Sequence, residues 1–331
     1  MTGPRTVRAS APGKLMLAGE YVVVERGTPS LAVALDARVT VEATVTDGTG
    51  WTVTSERMLL VDEPLQRVPV LSEALARVDG APRAGRLLVR SELGAGDDKP
   101  GLGSSAALCV AGFAAFSRLA GRPEPYDLRT MIQVHKAAQG GLGSGYDVAA
   151  ALEGGVTIFM PRGEGGPKIE RVPWPSGLLA AVFKASRGAS THHMLRRVVA
   201  WRDEDPETLD ACLEPLAIET EELIAAFRRG DVEHILTAAA QVQEELVVMD
   251  RLGDLGIMAG GQLQLHGVIE DAGCVGRTSG AGGGDCVWAL SDDPAAIARA
   301  RTNAIELGFQ PLALEFPGVG LTLELDGGAS G

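Results

Sequence analysis

The chain has 331 residues, of which 45% are hydrophobic and 22% are charged, so it can bury a sizeable core and wholesale disorder is excluded. A net charge of −13 disfavours nucleic acid and anionic membrane surfaces as partners, and aromatic residues, at 4%, are too few for base stacking. No apolar run reaches the roughly 18 residues of a membrane span, no secretory signal is visible, and the four widely spaced cysteines predict reduced thiols in a cytoplasm.

In chain order, the first half is predicted to place strands before helices. Alternating or β-branched segments predict strands at Val7–Ser10, Leu15–Ala18, Tyr21–Val24, Val39–Thr46, Trp51–Ser55 and Arg86–Ser91. Apolar residues at helical spacing predict helices at Ser104–Leu119, Asp127–Gln139 and Tyr146–Leu152, with a further strand at Val156–Met160.

In the second half, the Pro- and Gly-rich segment Gly163–Pro175 predicts a linker, which divides the chain into parts 1–170 and 171–331. After a strand at Leu178–Lys184, periodicity predicts helices at His193–Asp203, Glu207–Arg228, Val232–Met249, Ile257–Asp271 and Pro294–Leu307. Further strands are predicted at Cys274–Arg277, Cys286–Leu290, Leu312–Phe316 and Leu321–Leu325. This order of elements predicts an α+β fold in two parts.

Glycine accounts for 43 residues and is concentrated in a few segments, which is typical of backbone shaped around a ligand. The first such segment, Ala11–Tyr21, places Lys14 between a Pro-Gly break and an apolar strand. Its ammonium could therefore point into a cleft and contact phosphate oxygens. The alternative is an ordinary surface lysine at the start of a strand.

The second segment runs directly into an alanine-rich helix and comprises Gly101, Leu102, Gly103, Ser104, Ser105 and Ala106. Free backbone N–H groups at a helix N-terminus form an anion site, and a serine hydroxyl such as that of Ser105 can serve a hydrated Mg²⁺. Plain helix capping by the serines is the alternative. The spacing also matches a dinucleotide-binding fingerprint, but a polar loop precedes it and no βαβ unit surrounds it.

The third segment, Arg277–Cys286, predicts close approach of the backbone to a ligand, because a hairpin turn would not need four glycines in five positions. Asp147 follows a flexible turn and begins a helix, where it could orient or deprotonate an attacking hydroxyl. The helix dipole alone could also favour an aspartate there. His135 and the pair His192 and His193 lack metal-ligand spacing with a third partner and are interpreted either as surface residues or as residues that support the ligand-binding side chains from behind.

Taken in this order, the segments resemble the motifs of the GHMP kinases, a family that comprises galactokinase, homoserine, mevalonate and phosphomevalonate kinases. The resemblance implies ATP and Mg²⁺ as cofactors and a fold with an N-terminal mixed sheet and a C-terminal ferredoxin-like layer. It implies ATP over the second segment with Ser105 near Mg²⁺, and Lys14 and Asp147 as the catalytic pair. The substrate-binding residues that it implies are Lys14, Ser144, Ser190, Thr191, Ser279, Gly280, Ala281 and Gly282.

Within the family, the runs Ala138–Ala150 and Thr278–Cys286 are most similar to phosphomevalonate kinases. The part Gly143–Asp147 departs from the Pro-Ser-Gly-x-Asp core of mevalonate kinases. The resemblance thus implies phosphoryl transfer to 5-phosphomevalonate. Mevalonate kinases carry a metal-binding glutamate where this chain has His135 and Lys136, so the second magnesium ligand stays unassigned. A doubly anionic acceptor needs local cations, for which the chain offers Lys14, Lys184, Arg187, Arg196, Arg197 and Arg277.

Three alternatives stay open at this point. A kinase acting on mevalonate or another small alcohol would keep every motif. A nicotinamide oxidoreductase would rest on the segment Gly101–Ala106 alone. A catalytically silent member of the family could serve as a sensor or scaffold, although both Lys14 and Asp147 are present.

Overall fold

The structure is a computed structural model that describes residues 6–93, 101–122, 124, 126–162, 165–185 and 191–325. Within these ranges the strands form one sheet of eight strands and one of four. The α+β fold predicted from the order of elements is thereby confirmed. Among the described residues, no helix combines the length and the apolar character needed to cross a bilayer.

The first sheet is mixed and carries helices of the N-terminal half. Its strands are β1 Thr6–Ala18, β2 Ser30–Val45, β3 Gly50–Ser55, β4 Leu60–Pro64, β5 Ala84–Ser91, β6 Val156–Met160, β7 Lys168–Val172 and β12 Thr322–Leu325. The helices of this half are α1 Val22–Glu25, α2 Pro69–Ala76, α3 Ser104–Leu119, α4 Leu128–Ala138 and α5 Tyr146–Glu153. The strand order is β12-β1-β2-β5-β3-β4, with β6 paired to β2 and β7 to β6, and only the β3–β5 pair is parallel among the described strands.

The second sheet lies in the C-terminal half and is antiparallel throughout its described pairs. Its strands are β8 Leu179–Lys184, β9 Val275–Thr278, β10 Cys286–Ser291 and β11 Gln310–Pro311. The accompanying helices are α6 Thr191–Glu204, α7 Pro206–Arg229, α8 Val232–Gly253, α9 Gln262–Asp271 and α10 Pro294–Glu306. The strand order β11-β8-β10-β9, with α10 joining β10 to β11, is that of the predicted ferredoxin-like layer.

The structure corrects several element predictions. Tyr21–Val24 was predicted as a strand from its β-branched residues, but Tyr21 has φ 62° and the short helix α1 follows it. The predicted linker contains β7, which pairs with β6 in the first sheet. The predicted strand Leu312–Phe316 is not a strand, and β12 returns to pair with β1. Strand β4 and helix α2 were missed. For the strands, pairing with partners distant in sequence decides the outcome.

Aromatic side chains fill the junction between the two sheets. Trp174 and Trp288 lie stacked with ring centroids 6.3 Å apart, and Phe316 contacts both rings edge-on. The buried indole Nε1 of Trp288 donates to the carbonyl of Met16 at 2.9 Å. The second sheet is therefore tied directly to β1 of the first sheet, and both contribute to one continuous core.

A buried ion pair makes a second connection at the same junction. The guanidinium of Arg277 on β9 lies 2.7 Å from the carboxylate of Glu20, and neither side chain is exposed to solvent (0% each). Arg277 also donates to the carbonyl of Leu17 and to the side-chain oxygen of Gln243. Arg277 is one of the cations predicted to serve the substrate, but its guanidinium is bound by protein groups in the core.

We expect Arg277→Met to destabilise the protein by about 3–5 kcal/mol, because Glu20 would be left charged and unpaired in the core. The double variant Glu20→Gln/Arg277→Met should recover part of this loss, since an amide needs no counterion. The exposed pair Arg8–Glu324 provides the control, and Arg8→Met should change stability by no more than about 1 kcal/mol. Urea unfolding measures the free energy of unfolding of all three variants. Equal losses of stability in Arg277→Met and Arg8→Met would contradict the prediction.

Candidate active site

The first and second glycine-rich segments meet at Lys14 on β1. The backbone N–H of Lys14 donates to the carbonyl of Leu102 at 2.8 Å, and its Nζ donates to the carbonyl of Gly101 at 3.0 Å. The register of β1 shifts between Pro12 and Lys14, and a Cβ placed on Gly13 would lie 2.7 Å from the Leu102 oxygen. Glycine at position 13 therefore lets the strand approach the loop, and Lys14 is buried there rather than on the surface (7% exposed).

The second segment forms a tight loop whose glycines cannot be replaced without displacing neighbours. Gly101 and Gly103 have φ of 71° and 79°, the left-handed region that favours glycine. A Cβ on Gly101 would lie 2.6 Å from the Asp285 carboxylate, and one on Gly103 would lie 2.9 Å from Cγ of Lys14. Side chains from the first and third segments thus close directly over this loop.

Helix α3 starts at this loop with its N-terminus uncapped. Gly103 is the N-cap residue, and no side chain accepts a hydrogen bond from the first turn. Serine capping is therefore the wrong interpretation, and the N–H groups of Ser104, Ser105 and Ala106 have no helical partner. These groups and the positive end of the helix dipole favour an anion. The dinucleotide fingerprint lacks its context, because β5 and β6, which flank α3, are not neighbours in the sheet.

A second helix N-terminus, that of α5, brings Asp147 to the same place. Its Oδ1 accepts from the backbone N–H of Val148 at 2.9 Å, while Oδ2 lies 3.7 Å from Nδ1 of His135. The other ring nitrogen of His135 lies 3.2 Å from Oγ of Ser105 at the start of α3. His135 is therefore buried within the site (3% exposed), which excludes the surface position and agrees with the alternative that it supports ligand-binding residues from behind.

The charge on Lys14 is set by its neighbours. Burial lowers the pKa of its ammonium, but the hydroxyl of Tyr146 and the carboxylates of Asp147 and Asp285 more than offset burial, so the pKa is raised. The ammonium also lies 5.2 Å from the centroid of the Tyr146 ring, within the range of a cation–π contact. The neighbouring groups therefore favour the cationic form of Lys14.

For Asp285, the effect of burial on the pKa is not offset by the neighbouring charge. Burial raises the pKa of this carboxyl to about 7, with the Lys14 ammonium pulling the other way. Asp285 is almost fully enclosed (4% exposed) between the third segment and the loop at Gly101. A carboxyl with such a pKa changes its charge near neutral pH, immediately beside the buried ammonium.

The third segment is held on its N-terminal side by β1 and α1. Oγ of Ser279 accepts from the backbone N–H of Met16 at 3.0 Å, so this hydroxyl is engaged within the protein. The hydroxyl of Tyr21 donates to the carbonyl of Ala281 at 2.5 Å. A Cβ on Gly280 would meet nothing within 4 Å, so the open face of the segment is at this residue.

On its other side the third segment rests on the loop after α8. The backbone N–H of Gly283 donates to the carbonyl of Ile257 at 2.8 Å, and a Cβ on Gly282 would lie 2.7 Å from the same oxygen. Asp250 in turn accepts from the N–H groups of Ile257 and Met258 at 2.7 and 2.9 Å. The segment is thus fixed by backbone contacts from both directions.

The remaining predicted residues are placed less fully. Oγ of Ser144 accepts from the N–H of Tyr146 at 3.3 Å, which puts Ser144 at the start of α5. Thr191 is the first residue of α6, while Ser190 and Arg187 lie outside the described residues. The site also contains His135, together with Tyr146 and Asp285, two residues that have no assigned role in the sequence analysis. Tyr146 and Asp285 each adjoin a predicted site residue or glycine, whereas His135 is found only through the packing of α4.

The donor set suits a metal that arrives with phosphates. Across the described ranges, no cluster of three or more His, Cys, Asp or Glu side chains could hold a metal ion by itself. Ser105 and Asp147 nevertheless offer hard oxygen atoms on opposite sides of one imidazole. Mg²⁺ in nucleotide sites is commonly held by one or two protein oxygens together with phosphates and water. These residues therefore fit such an ion.

Comparisons with known proteins support the same family as the motifs. Residues 72–155 match the GHMP kinases N terminal domain. Phosphomevalonate kinase of Streptomyces sp. (strain CL190) is 29% identical, covering 95% of this chain and 98% of that protein. Mevalonate kinase of Aeropyrum pernix is 26% identical, covering 97% and 99%. Streptococcus pneumoniae phosphomevalonate kinase in complex with phosphomevalonate and AMPPNP has a TM-score of 0.78 at 22% identity, covering 93% and 99%. The resemblance to GHMP kinases is confirmed.

We expect Asp285→Asn to raise the melting temperature of the ligand-free protein by an amount that grows with pH. The pKa of Asp285 is about 7 in the folded protein and 3.8 is its ordinary value. As pH rises between these two values, the carboxyl ionises more readily in the unfolded chain, so the folded protein loses stability. The gain from asparagine should be small near pH 4, increase to about pH 7 and then level off.

Melting curves of wild type and variant between pH 4 and pH 9 test this expectation. Asp292→Asn removes an exposed carboxylate and serves as the control. A constant difference between Asp285→Asn and wild type across this pH range would show that burial does not govern the charge of Asp285.

Proposed function

We propose that this protein transfers the γ-phosphoryl group of ATP to (R)-5-phosphomevalonate, giving 5-diphosphomevalonate and ADP. The match of residues 72–155 to the GHMP kinases N terminal domain and the similarity of the fold to these kinases support the proposal. The observation that carries the proposal is the convergence of Lys14, the uncapped start of α3 and Asp147 on one place. The relative that matches over 95% of the chain under the name phosphomevalonate kinase supports this acceptor. The reaction would belong to the mevalonate route to isoprenoids, in the cytoplasm.

The second segment would hold the nucleotide phosphates. The N–H groups of Ser104, Ser105 and Ala106 are free to donate to phosphate oxygens, and the buried ammonium of Lys14 lies beside them. Ser105 and Asp147 would hold Mg²⁺. When bound, Mg²⁺ would neutralise charge that develops on the phosphates. This local positive potential is needed because the whole chain has a net charge of −13.

The acceptor chemistry separates the roles of Lys14 and Asp147. The second pKa of a phosphate monoester is about 6, so a phosphate acceptor is largely dianionic at neutral pH and needs little deprotonation. Lys14 would therefore stabilise charge in the transition state, and Asp147 would position Lys14 and the metal rather than act as a base. The raised pKa of Lys14, to which Asp147 contributes, agrees with this division.

The acceptor would lie against the open face of the third segment. Gly280 has free space on that side, whereas the hydroxyl of Ser279 and the carbonyl of Ala281 are engaged by β1 and by Tyr21. Contacts from the third segment to the acceptor would therefore come from backbone N–H groups. Ser144, Ser190 and Thr191 would supply hydroxyls to the acceptor.

Phosphorylation of mevalonate is the second candidate activity. The observation that favours it is the mevalonate kinase relative that matches over 97% of the chain at an identity close to that of the first relative. All the contacts at Lys14 and α3 would serve either acceptor, so only the acceptor itself separates the two activities. A silent sensor is less well supported, because Lys14 and Asp147 both lie in the site.

We expect ADP release from Mg-ATP to depend on 5-phosphomevalonate and not on mevalonate, homoserine or galactose. A coupled assay with purified protein at equal acceptor concentrations measures this. Turnover with mevalonate instead would overturn the proposed acceptor and leave the nucleotide site standing. ATP binding without turnover on any of the four acceptors would favour a sensor.

We expect Lys14→Ala to lower kcat at least about 100-fold, because it removes the buried ammonium that donates to the loop at Gly101. Asp147→Asn should keep more than about one tenth of the activity, since the amide retains the position of the carboxylate but not its charge. Lys168→Ala, an exposed lysine on β7, is the control and should be unaffected. If Asp147→Asn fell as far as Lys14→Ala and the activity of the wild type rose with pH, the result would favour Asp147 as a base.

A further inference from the structure

His135 occupies the space between the two residues to which the proposed function gives the metal. Its Nε2 lies 3.2 Å from Oγ of Ser105 on α3, and its Nδ1 lies 3.7 Å from Oδ2 of Asp147 on α5. The ring is carried by α4, packs between these two helices and is almost fully buried. A buried polar ring that touches both neighbours constrains the position of each.

Gln139, one helical turn along α4, fixes the proton on the ring. Its side-chain Nε2 lies 3.0 Å from Nε2 of His135. An amide NH₂ group can only donate, so Nε2 of the imidazole must accept. The neutral ring then carries its proton on Nδ1, the atom that faces the Asp147 carboxylate.

This tautomer determines how the hydroxyl of Ser105 is oriented. Because Nε2 of His135 has no proton, Ser105 is the donor in the contact at 3.2 Å, and its hydroxyl shares the single lone pair of Nε2 with the Gln139 amide. The hydroxyl proton therefore points toward α4, and the two lone pairs of Oγ point away from the ring. They are left free for a cation at the phosphate side of α3.

We propose that His135 is a positioning residue that presents the lone pairs of Ser105 to the metal of the bound nucleotide and anchors the Asp147 carboxylate. It is not itself a ligand, because one ring nitrogen accepts from protein groups and the other carries a proton. The inference rests on the proposed use of metal-bound ATP, but not on the identity of the acceptor. Buried groups that orient metal ligands in this way typically contribute 10- to 100-fold in metal affinity.

Three substitutions separate the two contacts of the ring. His135→Ala removes both contacts. The amide oxygen of His135→Gln reaches the position of Nε2 and can accept from Ser105. The shorter amide of His135→Asn reaches only the position of Nδ1 and can donate to Asp147. His234→Ala is the matched control, because His234 is exposed on α8 and its described ion pair is with Asp231 in the same turn.

The first readout is binding of Mn²⁺ and ATP by electron paramagnetic resonance, which requires no acceptor and no turnover. We expect affinity for the Mn–ATP complex to fall at least about tenfold in His135→Ala and His135→Asn. His135→Gln should stay within about threefold of wild type, as should His234→Ala. Melting temperatures, measured in parallel, identify any variant that fails to fold.

The second readout is steady-state kinetics with the acceptor that the wild type uses. KM for Mg-ATP should rise in His135→Ala and His135→Asn and be rescued in His135→Gln, a pattern that a general loss of packing would not produce. Unchanged Mn–ATP affinity in a folded His135→Ala would overturn the inference, as would an equal loss in all three variants. A wild type that fails to bind Mn–ATP would overturn the proposed function as well, whereas a different acceptor would leave the inference intact.

Discussion

The ammonium of Lys14 is buried against the glycine-rich loop at Gly101, and a buried charge requires compensating charges and hydrogen bonds. That requirement accounts for much of the surrounding structure. The loop carbonyl of Gly101 accepts from the ammonium, the ring of Tyr146 lies under it, and Asp147 and Asp285 supply negative charge. These groups compensate the charge of the ammonium and fix its position. The aliphatic carbons of the Lys14 side chain pack against Gly103.

Strand β1 places this lysine and also joins the halves of the molecule. Before the strand ends, the backbone of Met16 donates to Ser279 and accepts from Trp288, while Leu17 accepts from Arg277. The third glycine-rich segment is therefore attached to the same rigid element as Lys14. A site built on a central strand keeps its geometry better than one built on loops alone, because the sheet fixes the strand along its length.

Electrostatics in the site depend on a few well-placed groups rather than on many cations. Arg277 serves the fold through its pair with Glu20, and Arg197 donates to Asp254 on the surface. In the described part of the site, Lys14 acts together with the positive ends of α3 and α5. Helix ends add positive potential without adding a group that needs its own counterion, which suits a chain with a net charge of −13.

The sequence by itself determined the fold class, the bounds of α3 and β6, and the three glycine-rich segments, because periodicity, turn chemistry and glycine spacing are local properties. Tertiary structure alone decided that Tyr21 begins a helix, that β12 returns to β1, that Arg277 is buried with Glu20, and that His135 lies between Ser105 and Asp147. Each of these depends on a contact between residues far apart in the chain or on burial. Burial determines which charges are paired and which hydroxyls are oriented, and no pattern along the sequence specifies it.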